Sequence, residues 1–201
     1  MPIAVIIDVE GSKRLPPTER GKLLGEIREA LGEVYAFMRQ QNLARPALTS
    51  GDSCELLVNS WKPVAYVAHR LLLGGVRFRA GLGATRIYVL RELVDECDGP
   101  AFWKAREALE ETRRKTLRPR VAFAWEEDTP ELEKAHIALA ALYVTYIWGL
   151  SKAQLEYTYY YAWRDMTVSQ IARETGKTLG AISKTLKKAR AHTIKTLLKT
   201  T

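Results

Sequence analysis

The sequence predicts an α+β protein in which a region of mixed strands and helices precedes an all-helical region. Up to about residue 125, short apolar runs of strand length alternate with longer segments of helical period. After that point the apolar patterns have the spacing of helices. The charges divide in a similar way. Residues 151–201 carry ten Lys or Arg and three acids, whereas the first 150 residues carry 21 Lys or Arg and 20 acids.

The composition is that of a globular protein. Hydrophobic residues make up 47% and charged residues 27% of the 201 residues, which excludes a largely disordered or collagen-like chain. Cys54 and Cys97 lie in unrelated contexts, so we expect neither a disulfide framework nor a cysteine-based zinc site. The apolar stretches are too short or too interrupted to span a bilayer, and the first residues lack the features of a secretory signal. We therefore expect a cytoplasmic protein that does not contact membranes.

The first elements follow from local patterns. Ile3 to Val9 is a continuous run rich in β-branched residues, long enough for a buried strand and too short for a helix. Pro16-Pro17-Thr18 begins a segment to about Gln41 whose apolar residues recur at steps of three and four, which predicts a helix. Between Pro46 and Val58, two short apolar segments flank Ser50-Gly51-Asp52-Ser53, a pattern typical of a β-hairpin.

Two more helices, each followed by a strand, complete this region. Trp61 to Leu73 has helical spacing and precedes an alternating strand from Val76 to Gly83. Asp98-Gly99-Pro100 starts another helix through about Arg114, and Val121 to Trp125 has the pattern of a last strand. The order strand, helix, strand, strand, helix, strand, helix, strand is the ferredoxin-like arrangement with one added helix and strand. We assign this domain to residues 1–126.

The rest of the chain divides into a connecting helix and a small helical domain. Thr129-Pro130 is expected to cap a long apolar helix that ends near Trp148. We assign residues 127–150 to this connecting or dimerisation helix. Residues 151–201 would form an all-α domain, in which Ser151 to Asp165 is the supporting helix.

The apolar positions after Met166 have the geometry of two short helices joined by a tight turn. Gly176 lies four residues after Ala172, where a tight turn needs a residue without a Cβ, and Thr178 is placed to cap the second helix. Five residues are predicted to face inward: Ile171, Ala172, Ile182, Leu186 and Ala189. This pattern predicts a helix-turn-helix.

The opposite face of the second helix is basic and carries no acid. A helix that enters the major groove needs short or polar groups near its start and cations along its sides. We expect Ser183 and Lys184 to contact bases and Lys177, Lys187, Lys188 and Arg190 to contact phosphates. The predicted DNA-binding set is Lys177, Thr178, Gly180, Ser183, Lys184, Lys187, Lys188 and Arg190. A lysine-rich, solvated helix end in a bundle is the alternative interpretation.

The run QIARETGKTLGAISKTLKKAR resembles the helix-turn-helix of sigma factor region four and of LuxR-type regulators. Lys177 departs from that pattern, because those families usually place an apolar residue after the glycine. A second basic cluster comprises Arg113-Arg114-Lys115, Arg118 and Arg120. We interpret it as solvated residues that complement a helix dipole, with an extension of a DNA footprint as the alternative.

Two acids stand at predicted strand ends. Asp8 closes the first strand and Asp52 lies at the hairpin tip. If these strands are neighbours, both carboxylates converge at one end of the sheet, a spacing suited to a divalent cation that holds phosphates. A polar hairpin tip and a strand-ending turn are the alternative explanation of the two residues.

Four motifs together resemble the bacterial SatD family over nearly the whole chain. They are IIDVEGSKRL from Ile6, TSGDSCELL from Thr49, RFRAGLGATRI from Arg77 and DGPAFWKAREAL from Asp98. SatD-like proteins resemble a reduced nucleotidyl cyclase domain joined to a DNA-binding tail. The resemblance implies that Asp8 and Asp52 match the acids that bind two metal ions in class III cyclases.

The sequence departs from cyclases where they stabilise the transition state. Trp103 occupies the position of their Asn, and Arg106 falls one residue before the position of their Arg. One residue rotates a helical side chain by about a quarter turn, which takes it away from the phosphates. We therefore predict no enzyme activity and no required cofactor, and Mg²⁺ or a nucleotide at Asp8 and Asp52 stays open.

These observations predict a cytoplasmic transcriptional regulator that binds double-stranded DNA through its C-terminal domain. The cyclase-like domain would sense a ligand or dimerise. We expect a homodimer, because one small helix-turn-helix rarely supplies enough specific contacts. The alternative is a metal-dependent enzyme that acts on nucleotides or polynucleotides through Asp8 and Asp52.

Overall fold

The computed structural model describes residues 2–49, 51–114 and 120–200. The strands are β1 (Ile3–Val9), β2 (Ala47–Leu48), β3 (Ser53–Val58), β4 (Phe78–Ala84) and β5 (Val121–Trp125). The α-helices are α1 (Pro17–Phe37), α2 (Trp61–Leu73), α3 (Pro100–Arg114), α4 (Glu131–Trp148), α5 (Lys152–Ala162), α6 (Val168–Thr175), α7 (Leu179–Lys188) and α8 (Ala191–Thr200). Two compact units result, residues 1–145 and residues 146–201.

The five strands form one mixed sheet in the order β2-β3-β1-β4-β5. The central strand β1 runs antiparallel to both β3 and β4, and β4 runs parallel to β5. β2 and β3 form the antiparallel hairpin that the pattern between Pro46 and Val58 predicts, with Ser50 outside the described residues. The mixed sheet with its helices confirms the α+β prediction.

Some predicted boundaries differ from the structure. The first helix ends at Phe37 and not near Gln41, and a 3₁₀ turn at Arg39–Gln41 follows it. The Asn42 side-chain amide donates to the carbonyl oxygens of Val34 at 3.3 Å and Met38 at 2.8 Å, which ends the helix. The strand predicted from Val76 begins at Phe78.

Helix α3 packs very closely on one face of the sheet. Gly81 and Gly83 lie in β4 under this helix, and a Cβ at Gly81 would come 2.0 Å from the carbonyl oxygen of Ala105. A Cβ at Gly83 would come 2.1 Å from the carbonyl oxygen of Ala101. Only glycine permits this approach, so the two glycines set the distance between helix and sheet. Ala4 and Ile6 of β1 extend the same buried cluster.

The opposite face of the sheet carries the alternate residues of β1. Ile3, Val5 and Ile7 are fully or almost fully buried there. In the same unit, α4 packs on α2 through Tyr143, whose ring lies 5.8 Å from that of Trp61. The Tyr143 hydroxyl also hydrogen-bonds the buried His69 ring at 2.8 Å, which satisfies both polar groups.

The start of α4 corrects a prediction. Thr129 does not cap this helix, because its hydroxyl donates to the carbonyl oxygen of Ala84 at 3.0 Å and accepts from the Glu126 N–H at 3.1 Å. Thr129 instead fastens the end of β4 to the turn after β5. Within the described ranges, no helix combines the length and the apolar character needed to cross a membrane.

The second unit has its own small core. The core contains Tyr157, Ile171, Ile182, Leu186 and Ala191. Helix α5 begins at a capping box between Ser151 and Gln154, and α8 begins directly after α7. Arg190, between those two helices, has a φ of 46°, which an L-residue other than glycine seldom adopts.

Candidate functional site

The candidate site begins with the turn between α6 and α7. Thr167 and Gln170 form a capping box that fixes the start of α6. Gly176 follows the helix with a φ of 65°, the left-handed conformation that the sequence predicts for a glycine at this turn. The Lys177 N–H then donates to the Ala172 carbonyl oxygen at 3.2 Å, which closes the helix end.

Thr178 fixes the start of α7. Its hydroxyl accepts a hydrogen bond from the Ala181 N–H at 3.2 Å, so the predicted cap is present. Ile182 and Ala189 are fully buried, and Leu186 is nearly so. This inward stripe fixes the rotation of α7 about its axis and thereby determines which residues face the solvent.

The outward side of α7 carries the residues predicted to contact DNA. All of them are exposed: Lys177, Thr178, Gly180, Ser183, Lys184, Lys187, Lys188 and Arg190. Among the described residues, no acid lies within ion-pair distance of the five cations in this set. The contrast within the unit is Lys195, which pairs with Asp165 at 2.5 Å. The basic surface of α7 is therefore uncompensated.

Part of this surface borders an open groove of about 360 Å³. Ser183, Lys187 and Arg190 line it together with His192 and Thr193 of α8. The positive φ of Arg190 forms the corner between α7 and α8 at this groove. Sequence patterns do not reveal this corner, since no Gly, Pro or Asn marks it.

Asp8 and Asp52 lie at the same end of the sheet, as the sequence predicts. Asp8 pairs in the β1·β3 register with Ser53, the neighbour of Asp52. Their side chains have other partners, however. Asp52 accepts a hydrogen bond from the Ser12 hydroxyl, and Asp8 accepts one from the Arg113 guanidinium at 2.8 Å.

Arginines surround the Asp8 carboxylate. Arg79 lies 3.8 Å from Asp8 and 3.5 Å from Glu10, and Arg120 lies 2.6 Å from Glu10. The hydrogen bond to Asp8 is the main cause that raises the pKa of Arg113. These five residues form an alternating network of acids and guanidinium groups.

No cluster of metal ligands accompanies Asp8 in the described part of the chain. Its carboxylate faces two guanidinium groups, and no three His, Cys, Asp or Glu side chains come together there. Arg113 and Arg120, which we interpreted as solvated, are paired with acids, and Lys115 and Arg118 lie outside the described residues. Their role depends on pairings across the sheet that sequence spacing does not reveal.

The two positions of α3 at which the sequence departs from cyclases also have structural partners. The Trp103 indole N–H donates to the Asp98 carboxylate at 3.1 Å, and its ring contacts Tyr88 edge to face at 5.9 Å. Arg106 lies 3.9 Å from Glu55 of β3. Burial is the main cause that raises the pKa of Glu55, and the nearby Arg106 charge opposes the shift.

Comparison with known proteins adds no assignment: no protein-family model matches this chain, and no curated protein matches it.

Proposed function

We propose that this chain is a DNA-binding transcriptional regulator of the SatD type. The observation that carries the proposal is the uncompensated basic surface of α7. Lysines on a solvated helix normally have acids near them, as Lys104 has Glu107 and Lys134 has Glu131 in this chain. A surface without such acids is suited to a partner that supplies the negative charge, and a phosphate backbone does so.

In the proposed complex, α6 and α7 act as a helix-turn-helix. Ser183 and Lys184 lie in the first turns of α7 and are assigned to base edges in the major groove of double-stranded DNA. Gly180 permits close approach at the helix start, and Thr178 holds that start in place. Lys177, Lys187, Lys188 and Arg190 are assigned to phosphates on either side of the groove.

The first unit is proposed to be a ferredoxin-like, cyclase-related domain that senses or dimerises and does not catalyse. The strand order β2-β3-β1-β4 and the antiparallel pairs around β1 support this fold, with α3 and β5 as the additions. The Asp8 network supports a structural use of the cyclase-like acids, so we assign no cofactor to the proposed function.

The experiment is a fluorescence anisotropy titration of the full chain with pooled double-stranded fragments at two salt concentrations. We expect binding that weakens steeply with salt, because each phosphate contact adds about 0.9 to the slope of log K against log salt. Single-stranded DNA and duplex RNA of equal length are the competitors. Absence of binding at low salt, or salt-independent binding, would contradict the proposal.

A metal-dependent enzyme acting on nucleotides or polynucleotides is the second candidate. It is favoured by one observation, the position of Asp8 and Asp52 at the same end of the sheet. Incubation of the full chain with nucleoside triphosphates and Mg²⁺ tests it. Turnover that is lost in Asp8→Asn and Asp52→Asn would establish the enzyme, whereas equal rates in the wild type and both variants would remove it.

A further inference from the structure

The two edges of the sheet differ in how they are protected. At one edge, β2 has only two residues, which gives little backbone for another strand to join. At the other edge, β5 has five residues, all apolar: Val121, Ala122, Phe123, Ala124 and Trp125. Among the described residues, no strand pairs with the outer side of β5. Exposed edges usually carry a lysine, a proline or a bulge, and this strand has none.

β5 also presents two large aromatic side chains, Phe123 and Trp125, on the face of the sheet opposite α3. Phe123 is 41% exposed and Trp125 is 37% exposed. Their rings stack on each other at 5.4 Å between centroids with an interplanar angle of 25°. Two stacked, half-exposed aromatics on an open strand are typical of a surface that a protein partner covers.

The backbone pattern shows which residues could accept that partner. The Arg120 carbonyl oxygen accepts from the Ala80 N–H at 2.9 Å, so Arg120 directs its backbone groups towards β4. Alternate residues of a strand direct these groups to opposite sides. Ala122 and Ala124 therefore bond to β4, and Val121, Phe123 and Trp125 direct their N–H and C=O groups away from the sheet.

We propose that β5 pairs with β5 of a second copy of this chain, antiparallel and centred on Phe123. In this register Phe123 lies opposite Phe123, and Val121 lies opposite Trp125. Both pairings use only outward-directed backbone groups, so the two sheets join through a ladder of complete hydrogen-bonded pairs. The aromatic residues of the two copies then form one row across the joint, where cross-strand aromatic pairs are favourable.

Charge complementarity indicates that the strand pairing with the outer edge of β5 belongs to a second copy of this chain. β5 begins after the basic Arg120 and ends before the acidic Glu126-Glu127-Asp128. Antiparallel pairing centred on Phe123 places Arg120 of each copy opposite Glu126 of the other. Within its own chain Arg120 contacts Glu10 at 2.6 Å and Glu126 accepts from Thr85 at 2.7 Å, so the pairing between copies adds to these contacts. Parallel pairing of two copies would bring like charges together, which disfavours it.

This inference goes beyond the proposed DNA binding and does not depend on it. It supplies an interface for the homodimer that the proposed function expects. Its test therefore measures association of the full chain without DNA, and its failure leaves the DNA-binding proposal standing.

Cross-linking gives the sharpest test. Paired residues of an antiparallel ladder have Cα atoms about 5.5 Å apart, within the range that a disulfide spans. The full chain with Phe123→Cys and Cys97→Ser should form a covalent dimer under mild oxidation. Cys54 is buried, and burial raises the pKa of its thiol to about 12, so it does not compete. Ala122→Cys in the same background is the matched control, because residue 122 faces residue 124 of the second copy and not itself.

Association supplies the second readout. Sedimentation velocity over a range of concentrations should show a dimer for the wild type. Phe123→Pro removes one outward N–H and one aromatic ring without touching a bond to β4, and it should weaken the dimer by about tenfold or more. Arg120→Glu and Glu126→Arg should each weaken association, and the double variant should recover most of that loss, although each change also removes a contact within the chain, to Glu10 or from Thr85. Thermal melting checks that each variant is folded.

Three results would overturn the proposal. The first is a wild type that stays monomeric at all concentrations, which would leave β5 to a different protein. The second is a dimer in which Phe123→Cys cross-links no faster than Ala122→Cys, which would place the interface elsewhere, for example on the exposed Leu132 and Leu142 of α4. The third is a double charge variant that associates no better than either single variant.

Discussion

The arginines around β1 and the lysines of α7 use positive charge in opposite ways. Arg79 and Arg113 contact Asp8, so their positive charge is compensated within the fold. Lys184 and Lys187 on α7 have no acidic partner among the described residues. Formal charge alone therefore does not identify a binding surface. What identifies it is a cluster of charge that the fold leaves uncompensated, and α7 combines such a cluster with a capped, outward-facing helix.

The largest expected effect comes from removing the charge of α7. The full chain with Lys184, Lys187, Lys188 and Arg190 all changed to Gln should lose DNA affinity by a factor on the order of 100 and should show a salt slope smaller by about 3 to 4. Anisotropy titrations at several salt concentrations measure both quantities.

The matched control removes four exposed cations from the first unit: Lys13, Lys22, Arg28 and Arg91, each changed to Gln. It produces the same change in net charge and should alter the affinity only slightly. If both quadruple variants lose affinity equally, total charge and not the surface of α7 governs binding.

The next effect concerns the paired arginines. Asp8→Asn removes the carboxylate that accepts from Arg113 and lies near Arg79, and it should lower the free energy of unfolding by about 1 to 2 kcal/mol. Urea denaturation measures this loss, and DNA affinity should not change. Raised stability in Asp8→Asn, or loss of DNA binding without loss of stability, would show that Asp8 has a role outside the fold.

Substitution of single lysines on α7 distinguishes base contacts from phosphate contacts within the proposed DNA interface. Lys188→Ala should weaken all DNA sequences by about the same severalfold factor, whereas Lys184→Ala should reduce the preference between sequences. Competition between a selected site and random duplex distinguishes the two effects. Unchanged sequence preference in Lys184→Ala would remove this residue from base contact.

The smallest effect concerns the two ion pairs of Asp165 with Lys195 and Lys199 of α8. The hydrogen bond from Lys195, then the charges of Lys195 and Lys199, lower the pKa of Asp165 below its ordinary value. Since the folded pKa is below the unfolded one, these pairs stabilise the fold above the unfolded pKa, and the stabilisation is lost as pH falls through the folded pKa. Asp165→Asn should therefore flatten the acidic limb of a plot of melting temperature against pH. An unchanged acidic limb would show that the exposed contacts of Asp165 contribute nothing to the stability of the fold.

The element order was predictable because it depends on local patterns. The run from Ile3 to Val9 is too short for a helix, and Gly176 and Thr178 mark a turn and a cap by their own chemistry. The corner at Arg190 was not predictable, since its strain is held by the packing of α7 and α8 and not by a residue that favours it.

The candidate site divides in the same way. Exposure of Lys184 and Lys187 follows from the helical period once Ile182 and Leu186 are inward. The partners of Asp8 could not be foreseen, because they come from α3 and from the start of β4, far away in sequence. The reason for the two glycines of β4 could not be deduced from the sequence. It depends on the backbone of Ala101 and Ala105 in α3, which packs directly on them.

The parallel pairing of β4 with β5 also has a consequence for how the chain folds during synthesis. The ribosome must release all of α3 before β5 can join the sheet, because a parallel strand needs a crossover. Until then β4 is the open edge of the nascent domain. Gly81 and Gly83 weaken β4 as a template for other strands, since glycine disfavours extended pairing. We therefore expect the residues that let α3 approach the sheet also to disfavour aggregation of the unfinished protein.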